Sequence, residues 1–155
     1  MRGKELKRRK KNRIHIIEYY KSGYYFITIC VQEKANILCK TKKERILLPQ
    51  ELTKEGEIVQ QTLLKIPSMY SNILLDEYII MPNHIHFILL KKNSQNCISN
   101  IINQFKGKVT KQIKYPIWQK SFHDTIIRTT LQLQQIRRYI KTNPINWNKD
   151  IYYKK

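Results

Sequence analysis

Residues 73–81 and 84–90 form two apolar, β-branched runs separated only by Pro82-Asn83. Pro-Asn is turn chemistry, so the two runs read as neighbouring antiparallel strands. No other feature constrains the fold as strongly, because residues 84–90 have the composition of a buried strand and need a cover. That strand opens with His84-Ile85-His86, and the period of two puts both imidazoles on one face.

The flanking segments supply partners. Residues 24–31 are aromatic and β-branched, follow Ser22-Gly23, and read as a first strand entering from a turn. Residues 40–45 look like a hairpin tip before a short strand at 46–48. Leu52, Val59, Leu63 and Ile66 recur at helical spacing between Pro49 and Pro67, which predicts a helix over 51–66. Ile98, Ile101, Ile102, Phe105, Val109 and Ile113 make an apolar stripe that ends before Pro116. A last helix starts near Thr129, where Thr129 and Gln132 fit a capping box, and Pro144 stops it. Strands interrupted by amphipathic helices, with one antiparallel hairpin, suggest an α+β two-layer sandwich. With 155 residues, one domain spans 1–155, with a basic arm at 1–14 and a basic tail at 148–155.

Thirty Lys and Arg against eleven Asp and Glu give a net charge of +19 at pH 7. That excess on one small domain implies a polyanionic partner, with nucleic acid favoured, since the charge destabilises the fold when uncompensated. Arg8, Arg9, Lys10 and Lys11 lie in the densest block, read either as phosphate contacts or as a solubilising tail. Lys106, Lys108 and Lys111 lie opposite the apolar stripe of their helix, as a basic face for phosphates or a solvated one. Cys30, Cys39 and Cys97 are too scattered for a disulfide framework or a CxxC zinc site and read as reduced thiols. No run approaches a membrane span and no signal-peptide pattern opens the chain, so a cytoplasmic protein is expected.

His84 and His86 admit two readings on spacing alone. One is a hydrogen-bonded buried pair; the other is a chelate for a divalent metal that satisfies both rings at once and lacks its third ligand. In the last helix Leu133, Ile136 and Ile140 define the buried stripe, and Tyr139 lies at its edge in a row with Gln135 and Asn143. With ten tyrosines in the chain, Tyr139 by itself reads equally as a boundary aromatic.

In order and spacing, these fragments resemble the single-tyrosine HUH transposases of small insertion sequences, nearest the REP-associated tyrosine transposases. The resemblance runs through residues 23–30, Met81-Pro82-Asn83-His84-Ile85-His86, Trp118-Gln119, Phe122, Ile126-Ile127-Arg128, Tyr139-Ile140, Asn143-Pro144 and Trp147. It implies a central antiparallel sheet with packed helices, related to the ferredoxin-like arrangement. It makes Tyr139 the nucleophile, His84 and His86 metal ligands, Asn143 the group completing the metal shell, and Mg²⁺ or Mn²⁺ the cofactor. The implied substrate is single-stranded or hairpin DNA, held by the basic side chains with Arg128 among them, and cleaved through a 5′-phosphotyrosine. A homodimer is implied for the insertion-sequence relatives and a monomer for the REP-associated ones. Thr125 stands where relatives often carry a histidine, and Thr129-Thr130 where they carry Asn-Glu, so a decayed or domesticated DNA-binding protein is the alternative. An RNA-binding protein with incidental histidines is a third reading. Tyr152 and Tyr153 are expected to be loose tail residues rather than stacking platforms for bases.

Overall fold

The computed structural model describes residues 19–43 and 45–154, so Arg8, Arg9, Lys10 and Lys11 lie outside the described residues. In chain order the elements are β1 Gly23–Cys30, β2 Thr41–Lys42, β3 Arg45–Ile46, α1 Lys54–Leu64, α2 Ile66–Met69, β4 Ile73–Ile80, β5 His84–Lys91, α3 Ile98–Ile113, β6 His123–Ile127 and α4 Thr130–Thr142. The central sheet has the order β4-β5-β1-β6 with every neighbour antiparallel, and β2 and β3 form a separate small hairpin.

The Pro-Asn turn closes β4 onto β5 as the sequence predicts, with Met81 N donating to His84 O at 2.9 Å. Strand alternation then sorts the side chains. Tyr25, Ile27 and Ile29 of β1 and Ile85, Phe87 and Leu89 of β5 face a core shared with Val59 and Leu63 of α1 and Ile98, Ile101, Ile102, Phe105 and Val109 of α3. Each of these large side chains contributes on the order of 1.5–3 kcal/mol by leaving water, so this face holds the fold together. Ile88 points the other way and meets Ile127, Leu133 and Ile140, with Phe26 and Ile136 alongside. The sandwich expected from the sequence is therefore built by α1, α2 and α3 on the sheet, and α4 adds cover on the second face, where His84 and His86 point.

Two expectations shift. The helix expected over 51–66 begins at Lys54, because Thr53 caps it by accepting from Gly56 N at 3.1 Å. It breaks at Lys65, and Pro67 falls in the first turn of α2, a position proline tolerates. The segment before the last helix, given no element by the sequence, is the edge strand β6.

α4 buries only Leu133 and Ile140, and ion pairs complete its attachment. A bulge between Leu75 and Tyr78 in β4 contains Asp76 and Glu77. Arg137 grips Asp76 with two hydrogen bonds of 2.8 and 2.6 Å, and Lys141, one turn on, reaches Glu77 at 3.2 Å. Tyr139 sits between these two cations in sequence. Both pairs are partly exposed, so each is worth modest stability. Asp76→Ala is expected to cost about 1 kcal/mol, read as a fall of roughly 3 °C in Tm by differential scanning fluorimetry.

Candidate active site

Residues of β5, β1, α4 and the C-terminal segment meet on the second face of the sheet. His84 and His86 are 0% and 2% exposed, and their Nε2 atoms face each other at 3.1 Å. Each Nδ1 is already engaged. His84 Nδ1 lies 2.9 Å from Asn83 Oδ1, and His86 Nδ1 lies 2.7 Å from Thr28 Oγ1. Asn83 Nδ2 donates to Tyr152 O at 2.7 Å, which fixes the amide with its oxygen toward His84. A carbonyl oxygen only accepts, so neutral His84 carries its proton on Nδ1 and turns a bare Nε2 lone pair into the site.

Burial drives the pKa of His84 down to about 3, with the Asn143 side chain acting against it. It drives His86 to about 3 as well, reinforced by His84 and opposed by Asp150. Both rings are thus neutral at any physiological pH, the form that ligates metals. The unfolded chain takes up these protons near pH 6.5 and the folded chain only near 3, so stability is full above 6.5 and falls as pH drops through that window. The urea midpoint of the metal-free protein is expected to decline steadily from pH 6.5 to 4. A His84→Gln, His86→Gln variant should show a clearly shallower decline.

A third and a fourth group converge on the pair. Asn143, 2% exposed, lies at the C-terminal end of α4; its Nδ2 donates to Asp150 Oδ2 at 2.9 Å, while its Oδ1 is buried with no hydrogen-bond partner. Asp150 has a side chain 1% exposed, with Oδ2 3.8 Å from His84 Nε2, and it accepts from Tyr152 N at 2.8 Å. One ligand atom from each of His84, His86 and Asp150 lies within 4.8 Å of the others. Two imidazole Nε2 atoms, a carboxylate and an orphaned amide oxygen converge into a donor set that could hold a divalent cation, and of these the buried Asn143 Oδ1 is the one left without a hydrogen-bond partner.

Tyr139 is 41% exposed and completes the cluster from α4 of the same chain. Its hydroxyl lies 3.5 Å from His86 Nε2, and its ring packs edge-on to Phe26. Burial, and then the Asp150 carboxylate, hold its phenol above the ordinary value, with Asn143 pulling the other way. Cys30, paired with His84 across the strands, is pushed up to about 11 by burial and stays a thiol.

Other sequence candidates are placed elsewhere. Lys106, Lys108 and Lys111 lie on α3, across the sheet from the histidine pair. Lys106 does not present a bare ammonium: it donates to Gln119 O at 2.7 Å and Lys120 O at 3.3 Å, bracing the loop before β6. Lys111 is exposed, as is Arg128 beside the start of α4. Tyr152 and Tyr153 are not loose. The Tyr152 ring lies 4.4 Å from that of His84, and Tyr153 packs edge-on to buried Trp147 at 5.3 Å. Asp150 escaped the sequence reading, although it is the one carboxylate C-terminal to Asp124 in a strongly basic chain.

Residues 19–143 match the family described as IS200-like transposases. An uncharacterized protein of Haemophilus influenzae is 29% identical over 171 aligned residues, covering 94% of this chain and 93% of the relative. Among solved structures, a REP-associated tyrosine transposase bound to a REP hairpin is similar with a TM-score of 0.65 and 20% identity, over 87% of this chain and 72% of that one. A protein of Deinococcus radiodurans described as a candidate transposase gives a TM-score of 0.52 at 16% identity, over 79% and 91%.

Proposed function

The chain belongs to the IS200-like transposase family, and from that premise we propose that it cleaves and rejoins single-stranded DNA, presented as a hairpin, by transesterification at Tyr139. The observation that carries this reading is the approach of the Tyr139 hydroxyl to His86 Nε2, 3.5 Å, beside His84, Asn143 and Asp150. The structure of the REP-associated relative, bound to a hairpin, supports the choice of substrate.

In this reading Tyr139 loses its proton and its oxygen attacks the scissile phosphorus. A phosphorus–tyrosine oxygen bond forms, the bond to the 3′ oxygen breaks, and the leaving strand departs as a 3′-OH while the 5′ phosphate stays on the enzyme. The energy of the phosphoester is retained, so a 3′-OH from another strand reverses the step and releases Tyr139. α4 supplies the alignment: the Arg137–Asp76 and Lys141–Glu77 pairs hold Tyr139 over the sheet before substrate arrives. His84, His86, Asp150 and the Oδ1 of Asn143 would hold the divalent cation. Two imidazoles in that set favour Mn²⁺ over Mg²⁺. When bound, the cation supplies Lewis-acid polarisation of the phosphate and charge to lower the tyrosine pKa.

All these groups belong to one chain, so a monomer suffices for one cleavage, and two cleavages require a homodimer or successive turnovers. Phosphate contacts fall to Arg8, Arg9, Lys10 and Lys11 and to exposed Arg128, with Lys108 and Lys111 offering a second surface across the sheet. The full-length protein should be incubated with Mn²⁺ and end-labelled hairpin oligonucleotides taken from palindromes flanking its gene, then resolved under denaturing conditions. A covalent adduct on single-stranded DNA that EDTA prevents is expected. Tight hairpin binding with no adduct would replace this reading by that of a non-catalytic DNA-binding protein, and equal affinity for structured RNA would move the substrate away from DNA.

A further inference from the structure

A cavity of about 400 Å³ opens beside the histidine pair, lined by Phe26, Thr28, His123, Asp124, Thr125 and Tyr152. We infer that it is the seat of one nucleobase adjacent to the scissile phosphate, held against Phe26 and Tyr152 and read at its edge by His123 and Thr125. This inference rests on the reaction proposed for Tyr139.

Position comes first. Thr28 lines the cavity and also bonds His86 Nδ1 at 2.7 Å. Phe26 lines it and lies 5.3 Å from the His86 ring and 6.4 Å from that of Tyr139. A nucleotide in the cavity is therefore a neighbour of any phosphate held at His86 and Tyr139. Tyr152 bounds the cavity and at the same time lies against His84.

The chemistry of the lining selects a base over a phosphate. Among the described residues, the lining contains no Lys or Arg. Instead it offers two aromatic rings, two threonine hydroxyls and an imidazole, groups that stack on a π-face and that donate or accept at a base edge. The register explains how they arrive together. His123 pairs with Thr28 and Thr125 with Phe26, so these side chains of edge strand β6 share the face of the site. Asp124 also borders the cavity, but it pairs with Ile27 and its buried carboxylate accepts from the Tyr19 hydroxyl. The volume lies in the range of pockets that enclose one small ligand. His123 and Thr125 are both exposed and have no part in holding the metal or the nucleophile.

The test walks a single abasic site along the nucleotides flanking the cleavage position. It reads hairpin affinity in EDTA by fluorescence anisotropy, and adduct rate with Mn²⁺, for the wild type, Thr125→Trp and His123→Ala. One position is expected to lose at least about 10-fold in the wild type when its base is removed. Thr125→Trp, which fills the cavity from an exposed edge position, should lose as much on the intact strand and nothing further on that abasic one. His123→Ala, a mild change at an exposed site, should alter which base is preferred at that position alone. A flat walk, an unchanged abasic penalty in Thr125→Trp, or unchanged base preference in His123→Ala would overturn the inference. If no adduct forms on any strand, the proposed reaction fails, and the affinity walk still decides the pocket separately.

Discussion

Tyr139→Phe is expected to abolish the covalent protein–DNA adduct, a loss of at least about 1000-fold, while hairpin affinity stays within about two-fold. The substitution deletes one oxygen. The ring of residue 139 keeps its edge contact with Phe26, and the helix keeps its buried stripe and both ion pairs to β4. The lost hydroxyl contact is long, 3.5 Å, and the residue is 41% exposed, so stability should move by no more than about 0.5 kcal/mol. A loss of chemistry with fold and binding intact identifies the hydroxyl as the nucleophile. An adduct that persists would assign the attack to another residue. Tyr152 is then the one to substitute, because its ring already lies against His84, although its phenol is raised by burial and by the neighbouring thiol and carboxylate.

Much of this arrangement was legible in the chain because it is periodic. β5, β1, α3 and α4 each show regular apolar spacing, and the histidine pair and Tyr139 lie on those elements, so their faces follow from counting, whereas β4 is interrupted by Asp76-Glu77 at its bulge. What escaped depends on partners distant in sequence. β6 was invisible because Asp124, an inward position, is polar and buried against the Tyr19 hydroxyl, which breaks the alternation that marks a strand. The C-terminal segment carries no repeat at all. Its order comes from the Asn83 side chain donating to Tyr152 O and from Trp147 and Tyr153 closing over Met81. Once that segment is seen to fold back, Asp150 changes from a stray acid in a tail to a buried carboxylate beside His84. Lys106 illustrates the converse: helical position makes it look solvent-facing, yet two loop carbonyls take up its ammonium.

The histidine pair carries the second large effect. In the wild type, Mn²⁺ at 100 times its Kd is expected to raise the folding stability by about 2.7 kcal/mol, roughly 8 °C in Tm for a domain of this size. His86→Ala should remove that rise and lower the adduct rate by more than about 100-fold, and His84→Ala should do the same. Adding the second substitution to the first should cost little more, since donors that act on one ion fail together. The reason lies in the tautomers. Asn83 Oδ1 keeps the His84 proton on Nδ1, whereas the Thr28 hydroxyl can donate to or accept from His86 Nδ1; without an ion His86 Nε2 can donate to the bare His84 Nε2 at 3.1 Å, and with one both Nε2 lone pairs would serve as ligands. Asp150→Asn keeps the shape and removes the charge, and should weaken the Mn²⁺ shift less than either histidine change does. A Tm response to Mn²⁺ that survives in the double histidine variant would place the ion at another site and leave the pair as a buried hydrogen-bonded couple.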